Sequence, residues 1–364
     1  MRVLMLTSVF PPHVGGVESH VYELTKALIA AGHEVEVVAG SLEEADKPFG
    51  FPVHRPHFFR AQALYDWQLA RWLKKLHQAK RFDVAHVHGL KPAVAVRNLG
   101  IPTIFTNHTS GFLKRLNKSA FSRARSLKRI VHFNEIIAPS EELCDATRAL
   151  GYLGPVTYIP NAVDIEKFKP GASPLRAKWG IADDKPVIVM ARRLHEKNGV
   201  RYFAEAVAKL KNEDVHIVVA GDGDERGNVE RIIREAGMSE RVTMLGSVNN
   251  NDMPDIYRAC DISVLPSLME ATSITGLESM ASGLVLVGTH VGGIPALIEE
   301  GKTGFLVPPR DPEAMAEKLI PLIRDKARCK QMGEAAREKA KTEFSWPVIA
   351  GQTADVYRKY MAGK

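Results

Sequence analysis

Two glutamates eight positions apart, Glu270 and Glu278, bracket a run of small and hydroxyl-bearing residues: Ala271, Thr272, Ser273, Thr275 and Gly276. Carboxylates accept several hydrogen bonds at once and so suit sugar hydroxyls. A helix start carries unpaired backbone N–H donors and the positive end of the dipole, and small residues let a phosphate come close to them. A diphosphate with a sugar on each side would fit, ribose against one glutamate and a transferred sugar against the other. The plain alternative is a helix start with Glu278 as a dipole-friendly surface charge. Spacing alone weighs the two equally.

The elements that must hold these residues are short. The apolar run Ile262–Leu265 reads as a buried strand, ended by Pro266 and Ser267. The spacing of Leu277, Met280 and Ala281 predicts a helix from about Thr275 to Gly283, and Leu284–Val287 is the next strand. One carboxylate therefore lies in a loop and the other in the first turns of a helix. The stretch PSLMEATSITGLESMASG resembles the Glu-x7-Glu signature of the retaining glycosyltransferases of family 4. That resemblance implies the α/β GT-B fold: two Rossmann-like, doubly wound parallel-sheet domains facing a cleft. Glu270 and the 273–276 segment (Ser273, Ile274, Thr275, Gly276) would then meet the transferred sugar and the phosphates, and Glu278 the ribose.

The N-terminal half supports the same reading. An apolar strand at residues 2–6 runs into TSVFPPHVGGVE, and Val17, Val21, Leu24 and Leu28 then recur at helical spacing. This is a βαβ start with a glycine loop at a helix N-terminus, but not the dinucleotide fingerprint. The family has a Gly-Gly loop here that touches the donor, and Gly15 and Gly16 match it; a plain tight turn is the alternative. Asp83–Val87 is a strand leading to His88, and alternation sends His86 and His88 to one side. His-x-His could suggest metal, but the sequence shows no third ligand type nearby, and none is expected. After the strand Thr103–Thr106 comes His108, in the place where open α/β sheets bind ligands. By resemblance His108 lies beside the donor sugar; a satisfied structural histidine is the alternative. Pro160-Asn161-Ala162-Val163-Asp164 resembles the family's Pro-Asn-Gly-Val-Asp turn, with Ala162 in place of glycine.

Residues 166–186 read as a linker with a short helix, after which strands and helices alternate again. We expect domains at 1–168 and 169–345, and a terminal helix at 346–364 that, by resemblance, crosses back to the first. A leaving nucleotide diphosphate needs fixed cations or a metal. Arg193 and Lys197, just past a strand, supply a guanidinium fork and a point charge. The family uses an arginine and a lysine here; Arg192 and Arg193 compete for the role, and Arg193-Leu194 matches the family's Arg-Leu better. Asp222-Gly223-Asp224 has the spacing of a metal–diphosphate motif from a different glycosyltransferase fold, and here we expect it to bind no metal.

With 364 residues and 45% hydrophobic content, the chain is large enough for two cores. Cys144, Cys260 and Cys329 show no ligand spacing and read as reduced thiols. No leader or spanning segment is recognisable, so a cytoplasmic protein is expected, with the inner face of the membrane as a further possibility. The net charge of +7 is concentrated in residues 114–129, which carry seven basic side chains and no acid. That run is either a solvated helix face or a surface for anions or lipid headgroups, giving peripheral membrane contact; nucleic acid is not expected. Phe51, Phe58, Phe59, Tyr65, Trp67 and Trp72 sit among Arg55, Arg60, Arg71, Lys74 and Lys75; most read as core and a few as an acceptor site or membrane-facing edge.

The activity implied is retaining transfer of a hexose from a UDP-, GDP- or ADP-sugar to an acceptor hydroxyl (lipid-linked, inositol-phosphate or glycan), with no cofactor. A non-catalytic nucleotide-sugar binder of the same fold is the competing class. An oxidoreductase is a weaker third reading.

Overall fold

The computed structural model describes residues 1–13, 15–41, 49–59, 61–108, 116 and 119–361. Arg60 and, in the basic run, Lys114, Arg115 and Lys118 lie outside these. The chain divides into two compact units, Met1–Asn161 with Trp346–Lys364, and Ala162–Ser345.

Each unit is built on one wholly parallel sheet. In the first the strands are β1 (Arg2–Thr7), β2 (Glu34–Val38), β3 (Val53–His54), β4 (Val84–His88), β5 (Thr103–Thr106), β6 (Glu135–Ala138) and β7 (Val156–Tyr158), in the order β3-β2-β1-β4-β5-β6-β7. In the second they are β8 (Val187–Ala191), β9 (His216–Ala220), β10 (Val242–Gly246), β11 (Ile262–Leu265), β12 (Val285–Thr289) and β13 (Gly304–Val307), in the order β10-β9-β8-β11-β12-β13. Helices follow most strands. Parallel strands so covered are buried on both faces, and β4, β8, β9, β11 and β12 are buried at every position, the histidines of β4 included. In β8, Ile188 and Met190 face one core with Phe203 and Leu319, while Val187 and Val189 face another with Tyr257 and Met280. Successive residues thus serve opposite faces.

Each sheet reverses its winding once, between β1 and β4 in the first and between β8 and β11 in the second. Ligands of open α/β sheets bind outside the carboxyl ends of strands at such a reversal.

The chain leaves the first unit at Asn161, ahead of the expected boundary at 168. Val163 N donates to Phe344 O at 2.8 Å, and Val163 and Phe168 sit in the second unit's core. Ala162 is buried and does not adopt positive φ. The helix Trp346–Lys359 belongs to the first unit, with Tyr357 fully buried and Lys359 Nζ 3.1 Å from Glu135 Oε1. No described helix is long and apolar enough to cross a membrane.

Candidate active site

In the second unit the reversal point gathers the loops after β8 and β11. The helix Ile274–Ala281 starts there, capped by Ser273, whose Oγ accepts from Gly276 N at 3.2 Å. Two glycines let neighbouring backbone reach the 266–270 loop. Gly199 (φ 66°) and Gly292 (φ 54°) adopt the left-handed conformation, and a Cβ on them would collide with the carbonyl oxygens of Pro266 and Glu270 respectively. Leu268 N also donates to Lys197 O at 2.9 Å. Glu270 is therefore held from two sides.

Arg192 is the cation this frame encloses. Its guanidinium pairs with Glu270, donates to Ser267, and reaches Ser273 Oγ and Thr275 Oγ1 at 3.3 and 3.2 Å. The side chains of Arg192 and Glu270 are only 9% and 14% exposed. Burial lowers the Arg192 pKa to about 10, which leaves it charged at neutral pH. Its Nε is buried and has no hydrogen-bond partner among the described residues. A buried charged donor left unpaired is costly. Arg193 and Lys197, the cations favoured by sequence, are both exposed. Arg192, the first residue past β8, is held inward by its pairing with Glu270 and its hydrogen bonds to Ser267, Ser273 and Thr275.

Glu278 lies one turn into the helix, within 3.4 Å of the fully buried Tyr257 hydroxyl, which donates to it. Burial pushes its carboxyl up to about 7, against the pull of Lys167 and the tyrosine hydrogen bond. It is therefore poised between its two protonation states near neutrality. Ile274 is exposed, and Gly276 is buried between Leu265 and Leu297. Asp222 is occupied by its own turn and by Arg226, at 2.8 Å from Gly223 N and 3.3 Å from the guanidinium.

In the first unit, Gly15 precedes the helix Gly16–Ala30, and the space over Gly16 is open: a Cβ there would meet nothing within 4 Å. His20 on that helix, His88 at the end of β4 and His108 just past β5 converge, each offering a nitrogen within 4.8 Å of the others. The sequence showed no third ligand type near His86 and His88; the fold supplies two more imidazoles from distant segments. His88 Nδ1 lies 2.7 Å from His108 Nε2. His86 is bonded to Tyr357 and Thr106, both at 2.6 Å. Burial holds all four rings neutral, and neighbouring imidazoles add to it for His86, His88 and His108: His20 falls to about 4 against a hydrogen bond to Asn161, His86 to about 3, and His88 and His108 well below the usual range. Beside the same strand ends, a cavity of about 250 Å³ is lined by Thr7, Ser41, Phe58, Tyr65 and Lys91, among others. Of the aromatics in this region Phe59 and Trp67 are exposed, at 65% and 59%.

Sequence reasoning undervalued Arg192, weighed His88 only as half of a His-x-His pair, and missed Tyr257, Gly199, Gly292 and His20. Only Gly292-Gly293, a glycine pair just past a strand, carried a readable signal. The three cysteines are buried free thiols.

The family model described as glycosyl transferases group 1 matches residues 173–339, and that described as Glycosyltransferase Family 4 matches residues 14–167. The phosphatidylinositol N-acetylglucosaminyltransferase gpi3 subunit of Schizosaccharomyces pombe is 27% identical, covering 97% of this chain and 79% of its own. The N-acetyl-alpha-D-glucosaminyl L-malate synthase of Bacillus anthracis is 26% identical over 95% of this chain and 94% of its own. The solved structure of Anabaena HepE in complex with UDP superposes with a TM-score of 0.79, at 23% identity over 99% of this chain and 100% of that one, a likeness of fold.

Proposed function

The chain belongs to glycosyltransferase family 4, and on that premise we propose that it moves a hexose from a nucleotide diphosphate sugar to an acceptor hydroxyl, with retention and without metal. The observation that carries this reading is Arg192, a buried guanidinium with one unpaired donor at a helix N-terminus on a winding reversal. A diphosphate there takes hydrogen bonds from Arg192 and from backbone N–H groups near Ile274–Gly276. Arg193 and Lys197, exposed beside it, add long-range attraction. Glu278 bonds the ribose and Glu270 the hydroxyls of the transferred sugar; Gly15, Gly16 and His108 of the first unit keep the donor-binding roles that the family resemblance implies for them.

Fixed cations stabilise the departing diphosphate, the role a metal plays elsewhere. No nucleophilic side chain is assigned to the far face of the sugar, so the acceptor oxygen attacks C1 on the face the phosphate leaves, and the phosphate takes the proton. HepE binds UDP, and two relatives are named for N-acetylglucosaminyl transfer, so UDP-N-acetylglucosamine is the first donor to try. Phosphatidylinositol and malate are both anionic. The cavity with Lys91 and the exposed Arg123, Arg125 and Lys128 favour an anionic acceptor here too. Exposed Phe59 and Trp67 favour contact with a lipid surface.

The test is a panel of UDP-, GDP- and ADP-sugars scored by thermal stabilisation and by release of the nucleoside diphosphate, each with and without EDTA. One nucleotide series should raise the melting temperature and turn over slowly, unchanged by EDTA. Loss of turnover on chelation would overturn the metal-free mechanism, and an inverted anomer in the product would overturn retention.

A further inference from the structure

The histidine cluster of the first unit contains a contact that decides where its protons sit. His88 Nε2 lies 2.9 Å from the sulfur of Met5, and both residues are fully buried. A thioether sulfur has no hydrogen and can only accept. Two lone pairs would repel at that distance, so His88 Nε2 carries its proton. Neutral imidazole has one such proton, and His88 Nδ1 is therefore a bare acceptor. It faces His108 Nε2 at 2.7 Å, so His108 Nε2 must be the donor. The proton of neutral His108 is then accounted for, and its Nδ1 keeps a lone pair. No described residue hydrogen-bonds that Nδ1.

We propose that Met5, through His88, fixes His108 as the tautomer protonated on Nε2, so that His108 meets the transferred sugar only as a hydrogen-bond acceptor. This rests on the placement of His108 beside the donor sugar. It gives that histidine one role out of two: it takes a hydrogen bond from a sugar hydroxyl and donates nothing to the leaving phosphate. Met5 and His88 are positioning residues. They act through strand register, which sets Met5 opposite His86 and His88 opposite Thr106. The groups packed around the pair are His20 from the first helix, His86 from β4, Thr106 from β5 and Tyr357 from the terminal helix. His86 is saturated by Thr106 and Tyr357, and so takes no part in the relay. Three imidazoles so close also raise the question of a metal ion. The distance between the His88 and His108 nitrogens is that of one shared proton, shorter than the roughly 3.3 Å edge of a tetrahedron with zinc–nitrogen bonds of ~2.0 Å.

The substitution that inverts the relay is Met5→Leu, which nearly conserves volume. It leaves the His88 Nε2 proton without an acceptor in a buried site. The proton then moves to Nδ1 of His88, which donates to His108 Nε2, and His108 becomes protonated on Nδ1. Imidazole 15N spectra of the whole protein, with His108 assigned by its loss in His108→Asn, read this without substrate. Wild type should show a bare Nδ1 and a protonated Nε2 on both His88 and His108, and Met5→Leu should show the reverse on both. Sugar transfer by Met5→Leu should fall about tenfold in kcat with little change in KM, as expected when one aligned hydrogen bond is lost. A protonated Nδ1 on wild-type His108, measurable even if Met5→Leu fails to fold, would overturn the assignment. So would a divalent ion bound stoichiometrically by the three histidines. Spectra as expected with undiminished kcat in Met5→Leu would uphold the tautomer and remove His108 from the sugar site.

Discussion

The two units place opposite chemistries at equivalent points of equivalent sheets. At the reversal between β1 and β4 the first unit crowds neutral imidazoles, His20, His86, His88 and His108, with no carboxylate in that cluster among the described residues. At the reversal between β8 and β11 the second encloses a charged pair, Arg192 with Glu270, and a carboxyl, Glu278, held near its titration point. The difference shows two ways to bury polar groups. Imidazoles can be stacked densely because burial removes their charge and each can give and accept a proton. A buried cation needs a counter-ion and a rigid frame of hydrogen-bond acceptors, because an isolated charge is too costly. The second solution keeps a full charge available for an anionic ligand. The first keeps the His108 Nδ1 lone pair available for a neutral hydroxyl.

Breaking the charged site should have the largest effect. Arg192→Met removes the cation and strands Glu270; kcat/KM for the donor should fall about a thousandfold. Arg193→Ala, which removes an exposed charge, should stay within about threefold of wild type. Equal losses in the two variants would transfer the phosphate role to Arg193. Next comes the frame. Gly292→Ala sets a methyl group against the Glu270 carbonyl at positive φ and should cost about 3 kcal/mol by denaturant unfolding. Gly301→Ala, also at positive φ but in open space, should cost closer to 1 kcal/mol.

The imidazole site is tested by acid. The folded pKa values of His20 and His86 lie below those of the unfolded chain, at about 4 and about 3. As pH falls below 6.5 the unfolded state takes up protons that the folded state refuses, and stability drops. Each of these two histidines should cost on the order of 2–3 kcal/mol between pH 6.5 and 4, so the loss should be larger in the first unit than in the second, where burial lowers His216. Hydrogen exchange resolved by unit would show this; equal loss in both units would contradict it. Glu278 has the opposite sign. Its folded pKa is raised to about 7, so the unfolded state releases its proton first as pH rises, and stability falls from about pH 4 up through 7. Glu278→Gln should abolish that fall, gaining about 2 kcal/mol at pH 8 while weakening nucleotide binding. A Gln variant no more stable than wild type at pH 8 would show that Glu278 is already satisfied as a carboxylate.

Much of this was legible in the chain because it rests on local physics. Buried parallel strands are continuous apolar runs, and β8, β9, β11 and β12 read directly as such. Apolar spacing places the helix from about Thr275, one residue after its start at Ile274, but does not reveal its cap at Ser273. Arg192 against Arg193 was not legible, since both lie past the end of β8 and only packing against the 267–275 segment fixes which is enclosed. Nor was His20 beside His108, because those residues meet only when β1, β4 and β5 pair in order.

By itself, the amino-acid sequence determined two α/β halves, the loops that end their strands, and the polar residues those loops carry. Tertiary structure alone decided which cation was buried, which histidines met, and that Met5 faces His88. Charge, tautomer and proton affinity depend on what surrounds a group within a few ångströms, and those surroundings come from segments far apart in the chain.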